Sequence, residues 1–319
     1  MHKPLLGVYT PILHIPNLYE DLEKNFEIIY HPDSDYENAL ININKFEYIF
    51  TNPNKLKFTF DKTLLQRANK LKVFATASTG ENHVDLEYLR STGVKFISLK
   101  ERKDVIKNLT STAELAFLFL LSYARKFIPA IESVKNKEWD YEKFIGERIQ
   151  DLSIGVIGYG RLGQLFSHYC KSFGATVGVY DPYRNIDSKF ITFKNLNDLF
   201  SNCNAISLHV HLSKETEELI NSTLLNLTME NCALINTSRG RIVNEPNIIE
   251  WLEKSGGHYY FADVLQDENG NIYNSKLLEK SHLLSQAIIT PHIGGMTYQG
   301  QNIAYRDIAK LLVEELQKN

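Results

Sequence analysis

Along the first hundred residues, short apolar runs alternate with helical stretches, the pattern of a parallel sheet with crossover helices. Phe26–Tyr30, Phe46–Phe50, Lys72–Thr76 and Val94–Ser98 predict strands. Between the last two, His83–Gly93 predicts a short helix stopped by Gly93. A longer helix is expected from about Thr112 to Phe127. Ser111 or its neighbour stands as its cap, with Glu114 three residues on, the arrangement of a capping box. A polar stretch, 136–151, leads into a second alternating series. There the pattern predicts strands at Ser153–Ile157, Thr176–Tyr180, Ala205–His209, Cys232–Asn236, Tyr259–Ala262 and Ala287–Ile289. A last helix covers Gln301–Leu316, where Ile303, Ile308, Leu311, Leu312 and Leu316 recur roughly at helical spacing.

At roughly 150 residues per domain, 319 residues predict about two domains. The 43% hydrophobic and 23% charged composition is that of an ordinary globular chain. Lys+Arg 35 against Asp+Glu 38 gives a charge of −3, so nucleic acid and anionic membrane are not expected partners. Cys170, Cys203 and Cys232 form no CxxC pair and no disulfide framework, and no metal site is expected. The N-terminus lacks a continuous apolar core of a signal peptide, and Leu115–Leu121 is too short to span a bilayer. The expectation is a cytoplasmic protein.

The run Leu152–Phe166 contains Gly158-x-Gly160-x-x-Gly163 between a predicted strand and a predicted helix. GxGxxG alone is weak evidence, but this setting is the one a dinucleotide-binding turn requires. Gly158 serves the tight turn, Gly160 lets backbone approach a pyrophosphate, and Gly163 lets helix and strand pack closely. Arg161 and Leu162, at the helix start, belong to the same phosphate-facing segment, where exposed amides favour an anion. Asp181, 23 residues after Gly158, occupies the position of a carboxylate that binds a ribose 2′-hydroxyl. It favours NAD over NADP, with Arg184 nearby as the opposing feature. The alternative is a glycine-bearing turn with no ligand.

Three further segments place ionisable residues after apolar strands. Arg239 follows one strand, and a guanidinium there can hold a carboxylate through two parallel hydrogen bonds. Arg241 is its competitor, and a surface ion pair is the plain alternative for either. Asp263 and Glu268 flank a turn after the next strand, and His292 follows the last one, between Pro291 and two glycines. A histidine is more often structural or solvated than catalytic; its place at a strand end distinguishes His292 from the other nine. A carboxylate such as Glu268 beside it would orient the ring and stabilise imidazolium for proton exchange.

The segments ASTGENHVDL, STAELAFLFLLSYAR, Trp139–Gly146, GYGRLG, SLHVHLSKET, NTSRGRIVN, ADVLQDE and TPHIGG, in this order and spacing, carry a resemblance. Together they resemble the D-isomer-specific 2-hydroxyacid dehydrogenases, a family that includes D-3-phosphoglycerate dehydrogenases. The resemblance implies an α/β chain of two doubly wound parallel-sheet domains with the active site in the cleft. A flavodoxin-like substrate domain would comprise 1–105 and 294–319, and a Rossmann NAD domain 106–293. It implies that Arg239 binds the substrate carboxylate, that Glu268 partners the catalytic histidine, and that His292 is the general acid/base. Backbone amides around Ser78, Thr79 and Gly80 would also hold that carboxylate. Asp263 would contact the nicotinamide carboxamide, and His209 and Thr237 join the residues around the cofactor, NAD. A homodimer through the NAD domain, acting on a small 2-hydroxy or 2-keto acid, is the implied assembly.

The chain departs from the family pattern at His211 and at Asn269-Gly270, where proline is common. It departs also at Asn52 and Asn54, where phosphoglycerate-specific members often carry arginine, leaving Lys55 and Lys57 as candidate cations. Two other functions stay open: an NAD-binding corepressor-like regulator, and a formate-type dehydrogenase. Formate-type relatives pair the histidine with glutamine rather than with a residue like Glu268.

Overall fold

A computed structural model describes residues 3–254, 257–266, 268, 272, 275–280 and 285–318; Asn269-Gly270 lie outside the described residues. The chain divides into two compact units. One is Met1–Leu109 with Gly295–Asn319, the other Thr110–Glu268 with Ile272–Gly294.

The first unit is a parallel sheet of β1 (Leu5–Tyr9), β2 (Glu27–Tyr30), β3 (Tyr48–Thr51), β4 (Val73–Thr76) and β5 (Lys95–Ser98), ordered β2-β1-β3-β4-β5. This is the flavodoxin-like order. Both faces are covered, so the strands read as apolar runs rather than as alternating ones. Tyr48 and Phe50 of β3 and Val73 and Ala75 of β4 pack with Ile308 and Leu312 on one face. Ile49 and Phe74, between them, pack with Tyr9, Phe46 and Phe60 on the other. The same covering explains why alternation does not announce β1. The helix Leu86–Ser91 starts at Asp85, whose carboxylate accepts the Tyr88 amide at 2.9 Å, and Gly93 after it has φ 77°.

The last helix, Tyr298–Lys318, is longer than its apolar spacing suggests. Its buried face is Ala304, Tyr305, Ile308, Ala309 and Leu312, while Ile303 lies only partly buried beside that face. Small and aromatic residues, not the aliphatic ones alone, make this contact.

The second unit is a seven-stranded parallel sheet. Its strands are β6 (Ser153–Ile157), β7 (Thr176–Tyr180), β8 (Ile191–Thr192), β9 (Ala205–Leu208), β10 (Ala233–Asn236), β11 (Tyr259–Ala262) and β12 (Ala287–Ile289). The order β12-β11-β10-β9-β6-β7-β8 is a Rossmann arrangement with an added strand, and the direction of winding reverses between β6 and β9. Ile154, Val156, Ile235 and Phe261 fill one face, and Ile157, Leu208, Leu234 and Tyr260 the other. Edge strand β8 escapes a reading by pattern because it has two residues, both exposed.

Two expectations for the helix after 110 need correction. It ends at Ala124 rather than Phe127, because Lys126 takes a left-handed φ of 45° and a second helix, Phe127–Lys135, starts beyond it. The capping box does not form. Thr110 holds the cap position with helical dihedrals, and its hydroxyl meets Glu114 Oε1 at 2.5 Å instead of a backbone amide. The apolar run is also longer than Leu115–Leu121. Lys103–Ala124 is long and apolar enough to cross a membrane by length and composition, the one such segment among the described residues. In the fold it is split into Lys103–Ile106 and Ser111–Ala124, and Ala116, Phe119 and Leu120 enter the core of the second unit.

Candidate active site

In the second unit β6 runs straight into the glycine turn, and the helix Arg161–Ser172 begins at once behind it. Gly158 has φ 95°, and a Cβ there would lie 2.5 Å from the carbonyl oxygen of His209. A Cβ on Gly163 would lie 2.0 Å from the Gly158 carbonyl oxygen, so helix and turn touch through backbone. Around Gly160 the case is opposite: nothing lies within 4 Å of the Cβ position. Gly160 caps the helix without any side-chain hydrogen bond to its first amides. Open space beside uncapped amides at a helix N-terminus is a fit for a pyrophosphate. Arg161 and Leu162, the first two helical residues, are half-buried, and burial lowers the Arg161 guanidinium from its ordinary value.

Asp181 ends the β7 edge of this groove. Its Oδ2 accepts the Tyr159 amide at 2.7 Å and its Oδ1 the Tyr183 amide at 2.9 Å. The carboxylate is therefore fixed against the glycine turn, with lone pairs remaining for ribose hydroxyls. Arg184 is exposed. On the other side of β6, the His209 ring packs 5.0 Å from the Phe166 ring, and its Nε2 meets Ser207 Oγ at 2.9 Å. Burial drives its imidazole down to about 3, so it is neutral. Its Nδ1 and the Thr237 hydroxyl are shut off from solvent without a hydrogen-bond partner. Buried orphan polar atoms lining this edge of the sheet fit a polar ligand such as NAD.

Arg239, Glu268 and His292 follow the C-terminal ends of β10, β11 and β12, three neighbouring strands. His292 Nδ1 lies 3.1 Å from Glu268 Oε2, both side chains largely buried. Burial lowers the Arg239 guanidinium, and the nearby Glu268 carboxylate opposes that shift. Arg239 Nη1 donates to the Ser238 carbonyl at 2.6 Å. Arg241, its sequence competitor, is instead exposed and paired with Glu217. His292 itself has φ 54°, a left-handed conformation that a side chain other than glycine holds only under constraint.

That constraint comes from Asp263. Its carboxylate, 2% exposed, accepts Thr290 Oγ1 at 2.6 Å, the Ile293 amide at 2.7 Å and the Gly294 amide at 2.7 Å. Burial raises the Asp263 carboxyl, and these three donors work against that shift. Two further supports are not evident from the sequence. Asn236 is fully buried; its amide nitrogen donates to the Arg239 carbonyl at 3.0 Å and its oxygen accepts the Ser238 amide at 3.0 Å, shaping the turn that carries Arg239. Glu245, 3% exposed, accepts the Gln266 amide at 2.8 Å and Ser275 Oγ at 3.0 Å, anchoring the turn that leads to Glu268. Asn236 is marked in the sequence only as a polar residue closing an apolar run, and Glu245, among Asn244, Pro246 and Asn247, carries no local signal.

In the first unit Ser78, Thr79 and Gly80 follow β4, all half-buried. The Gly80 amide donates to Ser78 Oγ at 2.9 Å. Asn52, buried at the end of β3, donates to the Ala77 carbonyl at 2.8 Å and accepts the Asn54 amide at 3.0 Å, tying the two loops together. Of the two candidate cations, Lys55 is ion-paired with Asp33, and Lys57 is exposed while Leu56 and Phe58 turn inward. Among the described residues, no group of three or more His, Cys, Asp and Glu could hold a metal ion.

Residues 117–294 match the family described as D-isomer specific 2-hydroxyacid dehydrogenase, NAD binding domain. A glyoxylate reductase of Thermococcus litoralis is 31% identical over 266 residues, 79% of this chain and 76% of that protein. A D-3-phosphoglycerate dehydrogenase of Mycobacterium bovis is 31% identical over 255 residues, 79% of this chain but 46% of that protein. The match thus spans less than half the length of that phosphoglycerate dehydrogenase. A D-lactate dehydrogenase from Aquifex aeolicus, complexed with NAD and lactic acid, superposes with a TM-score of 0.85 at 25% identity. That superposition covers 98% of this chain and 96% of the other.

Proposed function

The chain belongs to the D-isomer specific 2-hydroxyacid dehydrogenases, a family of NAD-dependent oxidoreductases, and we propose that it moves a hydride reversibly between NAD(H) and a D-2-hydroxy acid or its 2-keto partner. The observation that carries this reading is the 3.1 Å pair of His292 Nδ1 and Glu268 Oε2, set beside Arg239 at the ends of three adjacent parallel strands.

Bound NAD(H) supplies or accepts the hydride. The chain does the rest. Glu268 holds Nδ1 and so orients the ring, and Nε2 of His292 exchanges the proton with the substrate oxygen. In reduction, imidazolium gives its proton to the carbonyl oxygen; in oxidation, neutral imidazole takes the hydroxyl proton. Arg239 fixes the substrate carboxylate through its planar fork, and the amides around Ser78, Thr79 and Gly80 assist. Gly160, Arg161 and Leu162 would face the pyrophosphate on a turn that Gly158 and Gly163 allow to pack closely, Asp181 would hold the ribose, and His209 and Thr237 would line the cofactor. Asp263 positions the His292 turn.

We read the assembly as a homodimer through the NAD-binding unit. What supports this is an apolar stripe on Phe127–Lys135, where Phe127, Ile131 and Val134 are exposed, continued by Trp139 at 90% and Tyr141 at 80% exposure. Trp139→Asp should shift the mass measured by light scattering from dimer to monomer. We place the enzyme in the cytoplasm, a reading supported by its three buried, unpaired cysteines.

The catalytic reading is tested by His292→Ala and Arg239→Lys with NADH and a panel of 2-keto acids. The first should lose turnover while still binding NADH. The second should mainly raise KM for the acid, because an ammonium cannot reproduce the fork. Unchanged turnover in His292→Ala would refute the assignment.

A further inference from the structure

If Ser78–Gly80 receive the substrate carboxylate, the residues beside them in the first unit meet the rest of the substrate. That neighbourhood is defined within the first unit alone. Asn52 ties the loop after β3 to the loop after β4, and so carries Asn54 next to the carboxylate loop. Asn54 Nδ2 lies 3.4 Å from Met296 Sδ, and Gln301 Nε2 lies 3.0 Å from the same sulfur. Gln301 Oε1 is in turn bonded to the His14 ring in the loop after β1. Loops after β1 and β3, the two strands between which the winding reverses, thus converge on one thioether at the head of the last helix. The C-terminal edge at such a reversal is where open α/β sheets take their ligands.

Apart from Lys57, which is exposed between the inward-turned Leu56 and Phe58, the cations at this edge are committed. Lys55 pairs with Asp33, and Lys100 with Glu81 at 2.8 Å. Arg102 forms a fork on Asp307 with both bonds at 2.8 Å. Arg306 donates to Asn302 at 2.8 Å and to the Pro16 carbonyl. A phosphate or second carboxylate brought here would find each of these cations engaged and would have to compete with its present partner. Apolar groups, in contrast, stand open: Leu13 is 65% and Met296 47% exposed.

We propose that this chain selects 2-keto acids and D-2-hydroxy acids whose tail beyond the reacting carbon is uncharged and mainly apolar, with Asn54 and Met296 as the residues that set this choice. The proposal rests on the hydride-transfer reading and adds the substrate class to it. Phosphorylated and dicarboxylic acids are disfavoured.

The test uses the full chain with NADH and four acids: 2-oxobutanoate, 4-methyl-2-oxopentanoate, 3-phosphohydroxypyruvate and 2-oxoglutarate. The first two should give kcat/KM values at least about tenfold above the last two, the scale of one missing charge-assisted contact. Asn54→Arg and, separately, Met296→Arg should raise kcat/KM for 3-phosphohydroxypyruvate by about tenfold and lower it for 4-methyl-2-oxopentanoate. Two variants are used so that a misfolded one does not decide the matter. Wild-type preference for either charged acid overturns the proposal while leaving hydride transfer standing. An unchanged ratio in both folded variants overturns the assignment to Asn54 and Met296. Reduction of none of the four acids overturns the hydride-transfer reading together with this one.

Discussion

The Gly294 amide donates a 2.7 Å hydrogen bond to Asp263 Oδ2, and through it the end of β11 holds the turn that carries His292. With Ile293 and Thr290 on the other oxygen, one carboxylate satisfies three donors and keeps His292 at its left-handed φ of 54°. An asparagine has the same shape but presents an NH2 group to one of these donors. Asp263→Asn should therefore lower kcat by about a hundredfold, the usual effect of displacing a reacting group by about 1 Å. NADH affinity, followed by fluorescence titration, should fall much less. An equal loss in both would assign Asp263 chiefly to the nicotinamide.

The Glu268–His292 pair makes a graded prediction. His292→Ala removes the proposed proton carrier and should cost about 10²–10⁴ in kcat. Glu268→Gln keeps a side chain that can orient the ring but removes the charge that favours imidazolium, so its loss should be smaller. Glu268→Ala should fall between the two. Steady-state reduction of a 2-keto acid, with NADH binding as the control, reads the order directly.

The glycine turn separates a cofactor residue from a packing residue. No atom lies within 4 Å of the Cβ position at Gly160, so Gly160→Val should fold normally and weaken NADH binding. Gly163→Ala would press a methyl 2.0 Å from the Gly158 carbonyl and should lower the melting temperature. Paired melting curves and NADH titrations distinguish them; equal thermal losses would show that Gly160 is also a packing glycine.

What the sequence displayed and what it concealed follows the range of the interactions. The glycine turn is local: strand, turn and helix are contiguous from Ser153 to Ser172, and their pattern is legible without the fold. The parallel strands are legible as apolar runs because both faces are covered, while β8, with two exposed residues, is not. Lys126 breaks a helix through its own backbone dihedral, which no apolar spacing records. Asp263, Asn236 and Glu245 could be read as letters but not as partners. The donors to Asp263 come from 27 to 31 residues later, and those to Glu245 from 21 to 30 residues later. Lys55 likewise looks available until Asp33, from another loop, neutralises it.

Buried neutral histidines give the enzyme an acid-labile side. His209 is pushed from 6.5 down to about 3, and burial also lowers His31 and His258. The folded state therefore binds fewer protons than the unfolded chain between about pH 3 and 6.5, and stability rises with pH across that window. The histidine contribution is present in full above 6.5 and is lost as pH falls toward 3. The melting temperature should drop steadily on acidification from pH 6.5 to 5. His209→Gln, which cannot titrate there and can still hydrogen-bond, should start from a lower melting temperature at pH 7.5 but show a shallower acid slope. A parallel slope in wild type and variant would mean that His209 does not take up a proton on unfolding, and that His31, His258 or the carboxylates govern the acid limb.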